Sequence, residues 1–223
     1  MTFSIAARCA DTGMFGIAIS SSSPAVAARC SHTRAGAGVV ASQNITDPSL
    51  GISGLEMLAA GATADVALAH LVAATPFAAY RQLAIVDTRG NVAGHSGERT
   101  LGVHAMAKGT GCIAAGNLLA STDVPQGMIA AFDAAKGDLP SRLIQALVAG
   151  LEAGGEAGPV RSAGLKVVRD VAWPVVDLRV DWHDQPIAAL RDLWSVYEPQ
   201  MEDYIRRALD PSAAPSFGVP GDE

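Results

Sequence analysis

Residues 1–8 read MTFSIAAR, and this stretch sets the first element of the fold. Phe3, Ile5 and Ala7 alternate with smaller residues, and this period of two predicts a half-buried β-strand. A turn-forming ADTG and a second apolar run, MFGIAIS (14–20), follow directly. The start of the chain therefore predicts a β-hairpin.

Thr2 stands directly behind the initiator methionine and has two interpretations. Threonine is common in strands, so this residue can simply open the first strand. Removal of Met1, however, would give Thr2 a free α-amine that accepts the proton of its own hydroxyl. A nucleophile and its base would then lie within one residue. The local sequence leaves both interpretations open.

The rest of the chain alternates strand patterns with pairs of helical patterns. Strands are predicted at 38–44, 81–86, 91–97, 111–117, 163–170 and 174–183, and helices at 47–61, 63–75, 124–135, 140–153 and 186–209. The Gly-Ser-rich stretch 20–38 is expected to connect two strands, with Pro24 in a loop. Hairpin strands separated by helix pairs favour antiparallel sheets covered by helices. We therefore predict an α+β fold, a four-layer α/β/β/α sandwich with two mostly antiparallel sheets between helix layers.

Composition limits the class of protein. The 223 residues are 49% hydrophobic and 17% charged, with a net charge of -6. This composition is typical of a globular protein, and the negative charge disfavours binding to nucleic acid. No apolar run approaches the ~20 residues of a membrane span, and no signal peptide is recognisable. We expect a cytoplasmic protein with one domain over 1–210, a flexible tail over 211–223, and no nucleic-acid or membrane partner.

Motifs for metals and cofactors are lacking in the sequence. Cys9, Cys30 and Cys112 share no metal-ligand spacing and are expected to be core thiols. The histidines do not pair as H-x-x-x-H, and the two Gly-x-Gly stretches lack the third glycine of a dinucleotide site. The sequence predicts neither a metal nor a cofactor.

Blocks spread over residues 1–195 resemble one prokaryotic family and occur in the family's order. The blocks are MTFSIAAR, DTGMFGIAISSSSPAV, RAGAGVVASQN, DPSLGISGLEMLAAG, RQLAIVD, GHSGE, AAGNLLA and PVVDLRVDWHDQPIAALRDL. This is the domain-of-unknown-function family 1028 (DUF1028), which is placed among the Ntn-hydrolase-like proteins. The resemblance implies the αββα fold of N-terminal nucleophile amidohydrolases, and it implies no proven reaction.

The resemblance also implies roles for two residues. Thr2 matches the family's threonine behind Met1, and in N-terminal nucleophile enzymes this hydroxyl attacks an amide carbonyl while the α-amine moves the proton. Asn117 matches the family's Gly-Asn at a strand end, where its amide can stabilise an oxyanion. A plain turn role explains Asn117 equally well. The implied activity is hydrolysis of a small amide C–N bond, which requires no cofactor.

Five further residues are candidates for substrate binding. Ser21 and Ser23 can donate to a substrate or to the N-terminal amine, or they can satisfy their own loop. Gln43 and Asn44 close an apolar strand and are expected near the pocket, although capping of the next helix also explains polarity there. Arg161 precedes a strand and presents the bidentate fork that binds a carboxylate.

Two functions stay open. One is an N-terminal-nucleophile amidohydrolase that acts on a small amide through Thr2. The other is a non-catalytic small-molecule-binding or assembly protein that retains the fold without a free N-terminal nucleophile. For both, the amphipathic last helix and the region of Trp182 and Trp194 favour a homodimer or larger homo-oligomer.

Overall fold

A computed structural model of the chain describes residues 2–221. Met1, on whose removal the nucleophile hypothesis depends, lies outside the described residues. The strands are β1 (Thr2–Arg8), β2 (Phe15–Ser21), β3 (Ser31–Arg34), β4 (Gly38–Gln43), β5 (Gln82–Val86), β6 (Val92–Ser96), β7 (Ala105–Gly109), β8 (Cys112–Asn117), β9 (Ser162–Val168) and β10 (Val176–Val180). The α-helices are α1 (Val26–Cys30), α2 (Pro48–Ala59), α3 (Ala64–Ala74), α4 (Val124–Ala134), α5 (Leu139–Glu152), α6 (Pro186–Tyr197) and α7 (Met201–Leu209).

The strands form two antiparallel sheets. The larger sheet has the order β10-β9-β2-β1-β8-β7, and the smaller has the order β3-β4-β5-β6. The hairpin predicted at the start of the chain is confirmed, because β1 pairs with β2, with Phe3 opposite Ser20. On its other side β1 pairs with β8. The first strand of the chain therefore lies inside the larger sheet.

Four layers follow from the distribution of apolar residues. Helices α4, α5 and α6 cover the outer face of the larger sheet, and α2 and α3 cover the outer face of the smaller one. The inner faces meet in a core that includes Phe15, Ile17, Val39, Val86 and Ile113. The predicted α/β/β/α sandwich with two antiparallel sheets is confirmed.

Side chains of β1 alternate between two cores. Phe3, Ile5 and Ala7 pack beneath the helices of the outer layer. Ala6 faces the smaller sheet, and Thr2 lies on the same face of the strand because side chains two residues apart point the same way. The start of β1 therefore presents Thr2 to the space between the sheets.

Local signals in the sequence place several helix ends correctly. Asp47 caps α2 by accepting a hydrogen bond of 3.0 Å from the Ser49 N–H. Gly61 follows the helix with a φ of 94°, a conformation that a glycine adopts without steric cost. The last predicted helix divides near Pro199 into α6 and α7, because proline has no N–H to donate.

Three observed elements have no counterpart among the predicted ones. Helix α1 and strand β3 occupy the stretch 20–38, and β7 pairs with β8. Helix α1 has only 5 residues, which is too short for periodicity to reveal. Strand β3 reads SHTR and lies at the edge of the smaller sheet, so it carries little apolar signal. Pairing and packing against neighbours define these elements.

The tail beyond α7 makes contacts with that helix. The Arg207 guanidinium donates a hydrogen bond of 3.0 Å to the Pro215 carbonyl and stacks on the Phe217 ring. The division into one domain over 1–210 and a flexible tail stays a prediction. In residues 2–221 there is no helix with the length and apolar character that crossing a membrane requires.

Packing between α2 and the smaller sheet can be tested at Gly51. A Cβ at this position would lie 2.1 Å from the His32 ring. We expect Gly51→Ala to lower the free energy of unfolding by about 1–3 kcal/mol, because overpacking forces the ring or the helix to shift. Urea unfolding measures the change.

Gly127→Ala in α4 is the matched control. A Cβ there would lie 3.4 Å from the Ala153 Cβ, an ordinary contact. We expect this variant to gain about 0.5–1 kcal/mol from the lower backbone entropy of the unfolded chain. A Gly51→Ala protein as stable as Gly127→Ala would contradict the described contact between α2 and β3.

Candidate active site

One end of the space between the sheets is lined by polar side chains. On the larger sheet these are Thr2, Ser21 and Asn117, and Thr2 lies directly opposite Asn117 in the register of β1 and β8. Gln43 and Gln82 approach from the smaller sheet. All five residues are more than nine-tenths buried. The apolar core therefore gives way to a buried polar cluster where β1 begins.

Gln82 is the centre of this cluster. Its side-chain carbonyl accepts hydrogen bonds from Asn117 Nδ2 (3.1 Å) and Gln43 Nε2 (2.8 Å). Its own Nε2 donates to the Gly116 carbonyl and to Ser96 Oγ, each at 3.0 Å. Because a buried amide needs hydrogen-bond partners, this arrangement fixes the orientation of the Asn117 side chain. The bonds to Asn117 and Gly116 connect the two sheets.

The Thr2 hydroxyl lies beside the loop that follows β2. Thr2 Oγ1 donates to Ser21 Oγ over 3.5 Å, and Ser21 Oγ lies 2.8 Å from Ser23 Oγ. The Ser23 N–H also donates to Ser21 Oγ at 3.1 Å. The three hydroxyl groups thus form a short hydrogen-bonded chain. The structure brings both candidate serines to Thr2.

A cavity of about 150 Å³ opens beside Thr2. Its walls are formed by Thr2, Ser23, Arg29, Cys30, Asn44, Ile45, Thr46, Leu101 and Asn117. Four of the residues singled out in the sequence therefore share one cavity. Gln43 lies behind the cavity, where it accepts a hydrogen bond of 2.8 Å from Ser4 Oγ and holds Gln82.

Strained backbone surrounds this cavity. Within residues 2–221, the non-glycine residues with positive φ are Ala25 (52°), Asn44 (56°), Ile45 (49°) and Leu118 (51°). Asn44 and Ile45 line the cavity, and Leu118 directly follows Asn117. The left-handed region is costly for a β-branched residue such as isoleucine, and strain of about 1–3 kcal/mol per residue is concentrated at functional sites in proteins.

Hydrogen bonds hold the strained segment in place. Asn44 Nδ2 donates to the Tyr80 carbonyl at 2.6 Å, and Asn44 Oδ1 accepts from the Leu101 N–H at 3.1 Å. The Arg81 guanidinium donates to the Ile45 carbonyl. Asn44 therefore braces the cavity wall through both ends of its amide.

Arg161 is not brought to the cavity. Its guanidinium pairs with Asp184 and lies near the Trp182 ring. Only its backbone approaches the site, where the Arg161 N–H donates to the Ser21 carbonyl at 2.8 Å. The guanidinium that does line the cavity belongs to Arg29.

Glu156 is a buried carboxyl group behind the serine loop. Both of its oxygens accept the Ser22 N–H, at 3.0 and 3.1 Å. Burial raises the pKa of Glu156 to about 7, although the hydrogen bonds from Ser22 act in the opposite direction. The residue also lines a second cavity of about 330 Å³ with apolar walls that include Val160 and Ile187.

Sequence reasoning does not identify Gln82, Arg29 or Glu156. Arg29 lies in a helix too short to show periodicity, and Gln82 is the first residue of an apolar strand, a position where polar surface residues are common. Glu156 carries the clearest signal, since it is the one charged residue in the loop segment GGEAGP (154–159). A charge in such a loop is usually solvated, so the pattern alone does not indicate burial.

A cysteine, Cys30, also lines the cavity. Burial raises the pKa of the Cys30 thiol, and its Sγ lies 3.4 Å from Thr46 Oγ1. Since the thiolate is the reactive form, Cys30 is a weak nucleophile in this position. Among the described residues, no three His, Cys, Asp or Glu side chains are grouped so that they could hold a metal ion.

Comparisons with known proteins agree with the resemblance noted in the sequence. The sequence model of the "Family of unknown function (DUF1028)" matches residues 2–190. A search among curated proteins found no match. The crystal structure of protein SPO2555 from Silicibacter pomeroyi, described with the same family, has a TM-score of 0.86 and 32% sequence identity, covering 92% of this chain and 90% of its own.

Two more distant structures also align with the chain. The ancestral beta-subunit Anbu from Yersinia bercovieri has a TM-score of 0.41 and 13% identity, covering 92% of this chain and 97% of its own. An Anbu mutant from Hyphomicrobium sp. strain MC1 gives the same TM-score of 0.41 and 13% identity, with 92% and 100% covered.

The role of Gln82 can be tested by replacing it with methionine, which has a similar size. Gln82→Met leaves the amides of Gln43 and Asn117 without their buried acceptor. We expect the free energy of unfolding to fall by about 2–4 kcal/mol, since each unsatisfied buried group costs about 1–3 kcal/mol. Gln145→Met on the exposed face of α5 is the control and should leave urea unfolding nearly unchanged. Equal behaviour of the two variants would contradict the network.

Glu156 should make stability depend on pH. Its native pKa, about 7, lies above the value of 4.5 for an unperturbed glutamate, so the native state holds the proton more tightly than the unfolded state. Its contribution to the free energy of unfolding therefore falls as pH rises from about 4.5 to about 7, and the cost of the buried charge is complete above that range.

Glu156→Gln keeps an acceptor for the Ser22 N–H and removes the charge. We expect this variant to be more stable than the wild type at pH 8, by about 1–3 kcal/mol, and to lose less stability between pH 4.5 and 7. Thermal unfolding across this pH range measures both effects. The exposed Glu152→Gln is the control. A wild-type pH profile in the Glu156→Gln protein would disprove the assignment.

Proposed function

Since the chain belongs to the DUF1028 family, a family of unknown function, we propose its function from its own site: hydrolysis of a small amide by Thr2 acting as an N-terminal nucleophile. The observation that carries the proposal is the position of the Thr2 hydroxyl. It lies at the cavity, at the start of a central strand and opposite the Asn117 amide. The four-layer sandwich is the architecture that we expect of an Ntn-hydrolase-like protein.

The proposed reaction begins after Met1 has been removed. The free α-amine of Thr2 accepts the proton of Oγ1, and Oγ1 attacks the carbonyl carbon of the amide. The electron pair of the C=O bond moves to the oxygen, which accepts a hydrogen bond from Asn117 Nδ2. Collapse of this intermediate breaks the C–N bond, and the α-ammonium gives its proton to the leaving amine.

The second half of the reaction regenerates the nucleophile. Water gives a proton to the α-amine and attacks the Thr2 ester, and a second tetrahedral intermediate forms at the same place. Its collapse breaks the bond to Oγ1, which takes back the proton. The products are a carboxylic acid and an amine, so one water is consumed and no cofactor is required.

The surrounding residues support this proposal. Asn117 Nδ2 uses one N–H for Gln82, and an amide nitrogen carries a second. We infer that Gln82 positions the oxyanion donor and that Ser21 and Ser23 orient the Thr2 hydroxyl. Cytoplasmic location and homo-oligomer formation remain predictions from the sequence.

The test compares Thr2→Ala and Thr2→Ser with the wild type against a library of small amides, after intact mass has established that Met1 is absent. We expect Thr2→Ala to lose at least about 10³-fold in rate, because the nucleophile is gone, and Thr2→Ser to retain measurable turnover. The control is Thr122→Ala, at an exposed position that does not line the cavity.

Two results would disprove the proposed hydrolase function. One is equal turnover by the wild type and Thr2→Ala; the other is an active protein whose mass still includes Met1. If no amide is turned over by protein that lacks Met1, the non-catalytic alternative of a small-molecule-binding protein takes its place.

A further inference from the structure

We propose that Arg29 makes the Thr2 cavity an anion-binding site, so that the substrate is a short amide that also carries a carboxylate. The identification of the ligand as a substrate rests on the proposed function, whereas the anion site itself does not depend on catalysis. Arg29 is the charged side chain among the nine residues that line the cavity, and none of the nine is Asp or Glu.

Neutral groups hold the guanidinium in place. Arg29 lies in the last turn of α1, and its Nη1 donates to the Pro24 carbonyl (2.6 Å) and to the Ala25 carbonyl (3.2 Å). Its Nη2 donates to Ser23 Oγ at 3.1 Å. The head group is thus fixed on the loop beside Thr2. A guanidinium has five N–H donors, so donors remain for a ligand.

The positive charge of Arg29 is not neutralised by the protein. Within residues 2–221, no carboxylate lies within the 4.0 Å ion-pair distance of Arg29, whereas Arg81 pairs with Asp47 and Arg161 pairs with Asp184. Arg29 is half-buried, so solvent screens it only in part. A fixed, partly desolvated guanidinium without an acidic partner is suited to binding a carboxylate.

Other cavity residues add neutral hydrogen-bonding groups. Thr46 and Asn117 present a hydroxyl and an amide. An anion is therefore favoured in this cavity, and a cation is disfavoured.

The size of the cavity limits the ligand. A volume of about 150 Å³ corresponds to about five water molecules at ~30 Å³ each. Arg29 and Thr2 both border this small space. The carboxylate must therefore lie only a few bonds from the scissile carbonyl, as in a monoamide of a short dicarboxylic acid.

Binding to the full-length Thr2→Ala protein tests the site without turnover. The probes are succinate and its uncharged diamide, succinamide, measured by calorimetry. We expect succinate to bind, and we expect the additional change Arg29→Gln to weaken its binding by about 10- to 100-fold, as for loss of a charged hydrogen-bond partner. Succinamide binding should not respond to Arg29→Gln. Arg161→Gln is the matched control and should leave both affinities unchanged.

A second measurement requires no change at Arg29. In NMR spectra of the Thr2→Ala protein, succinate should shift the Arg29 Nε–H signal, and its affinity should fall as salt is added. Equal succinate affinity with and without Arg29→Gln, preference for succinamide, or no binding of either probe would each overturn the inference.

Turnover separates this inference from the proposed function. If succinate binds through Arg29 but the processed wild-type protein hydrolyses no amide, including the monoamide of succinate, the hydrolase proposal fails and the anion site stands. If neutral amides are hydrolysed as fast as the monoamide, and Arg29→Gln changes neither rate, the hydrolase proposal stands and the anion site fails.

Discussion

The buried amide of Gln82 is the constraint on which the candidate site depends. Apolar packing alone does not fix the relative position of two sheets at their open end. Here the hydrogen bonds of Gln82 to Asn117 and Gly116 connect them at that end, and its bonds to Gln43 and Ser96 lie within the smaller sheet. Because an unpaired buried amide is costly, the sheets keep the separation that satisfies these bonds, and the cavity keeps its shape.

Chain order places reactive groups at this end. Strand β1 begins there, while β4 and β8 finish there, so one strand start and two strand ends contribute side chains to one cavity. The segments that leave these strands turn sharply, and Asn44, Ile45 and Leu118 adopt left-handed backbone conformations. Backbone strain is therefore concentrated where the chain leaves these strands beside the cavity.

Much of the fold can be predicted from local patterns in the sequence. Alternation at Phe3, Ile5 and Ala7 predicts β1, and helix capping at Asp47 predicts the start of α2, because both depend on neighbours in the chain. Elements such as β3 depend on pairing with a distant strand and leave almost no local signal.

The residues of the candidate site likewise fall into those that the sequence predicts and those that it does not. Thr2 and Asn117 could be predicted from the resemblance to a family, and the register of β1 and β8 brings them together. The sequence predicts Arg161 and does not point to Arg29, since a long side chain can reach several places and only the packed structure shows that Arg161 pairs with Asp184 while Arg29 lines the cavity. Gln82 and Glu156 are defined by burial, which residue type alone predicts poorly for polar groups.

The position of Thr2 within the sheet has a consequence for digestion of the chain by aminopeptidases. Chain termini usually fray, and exopeptidases digest frayed ends stepwise. Thr2 instead is paired with Asn117 of β8 in the larger sheet and is only 6% exposed. An aminopeptidase that reached this residue would have to pull β1 out of the sheet to continue. Sheet pairing of β1 therefore opposes stepwise digestion beyond Thr2.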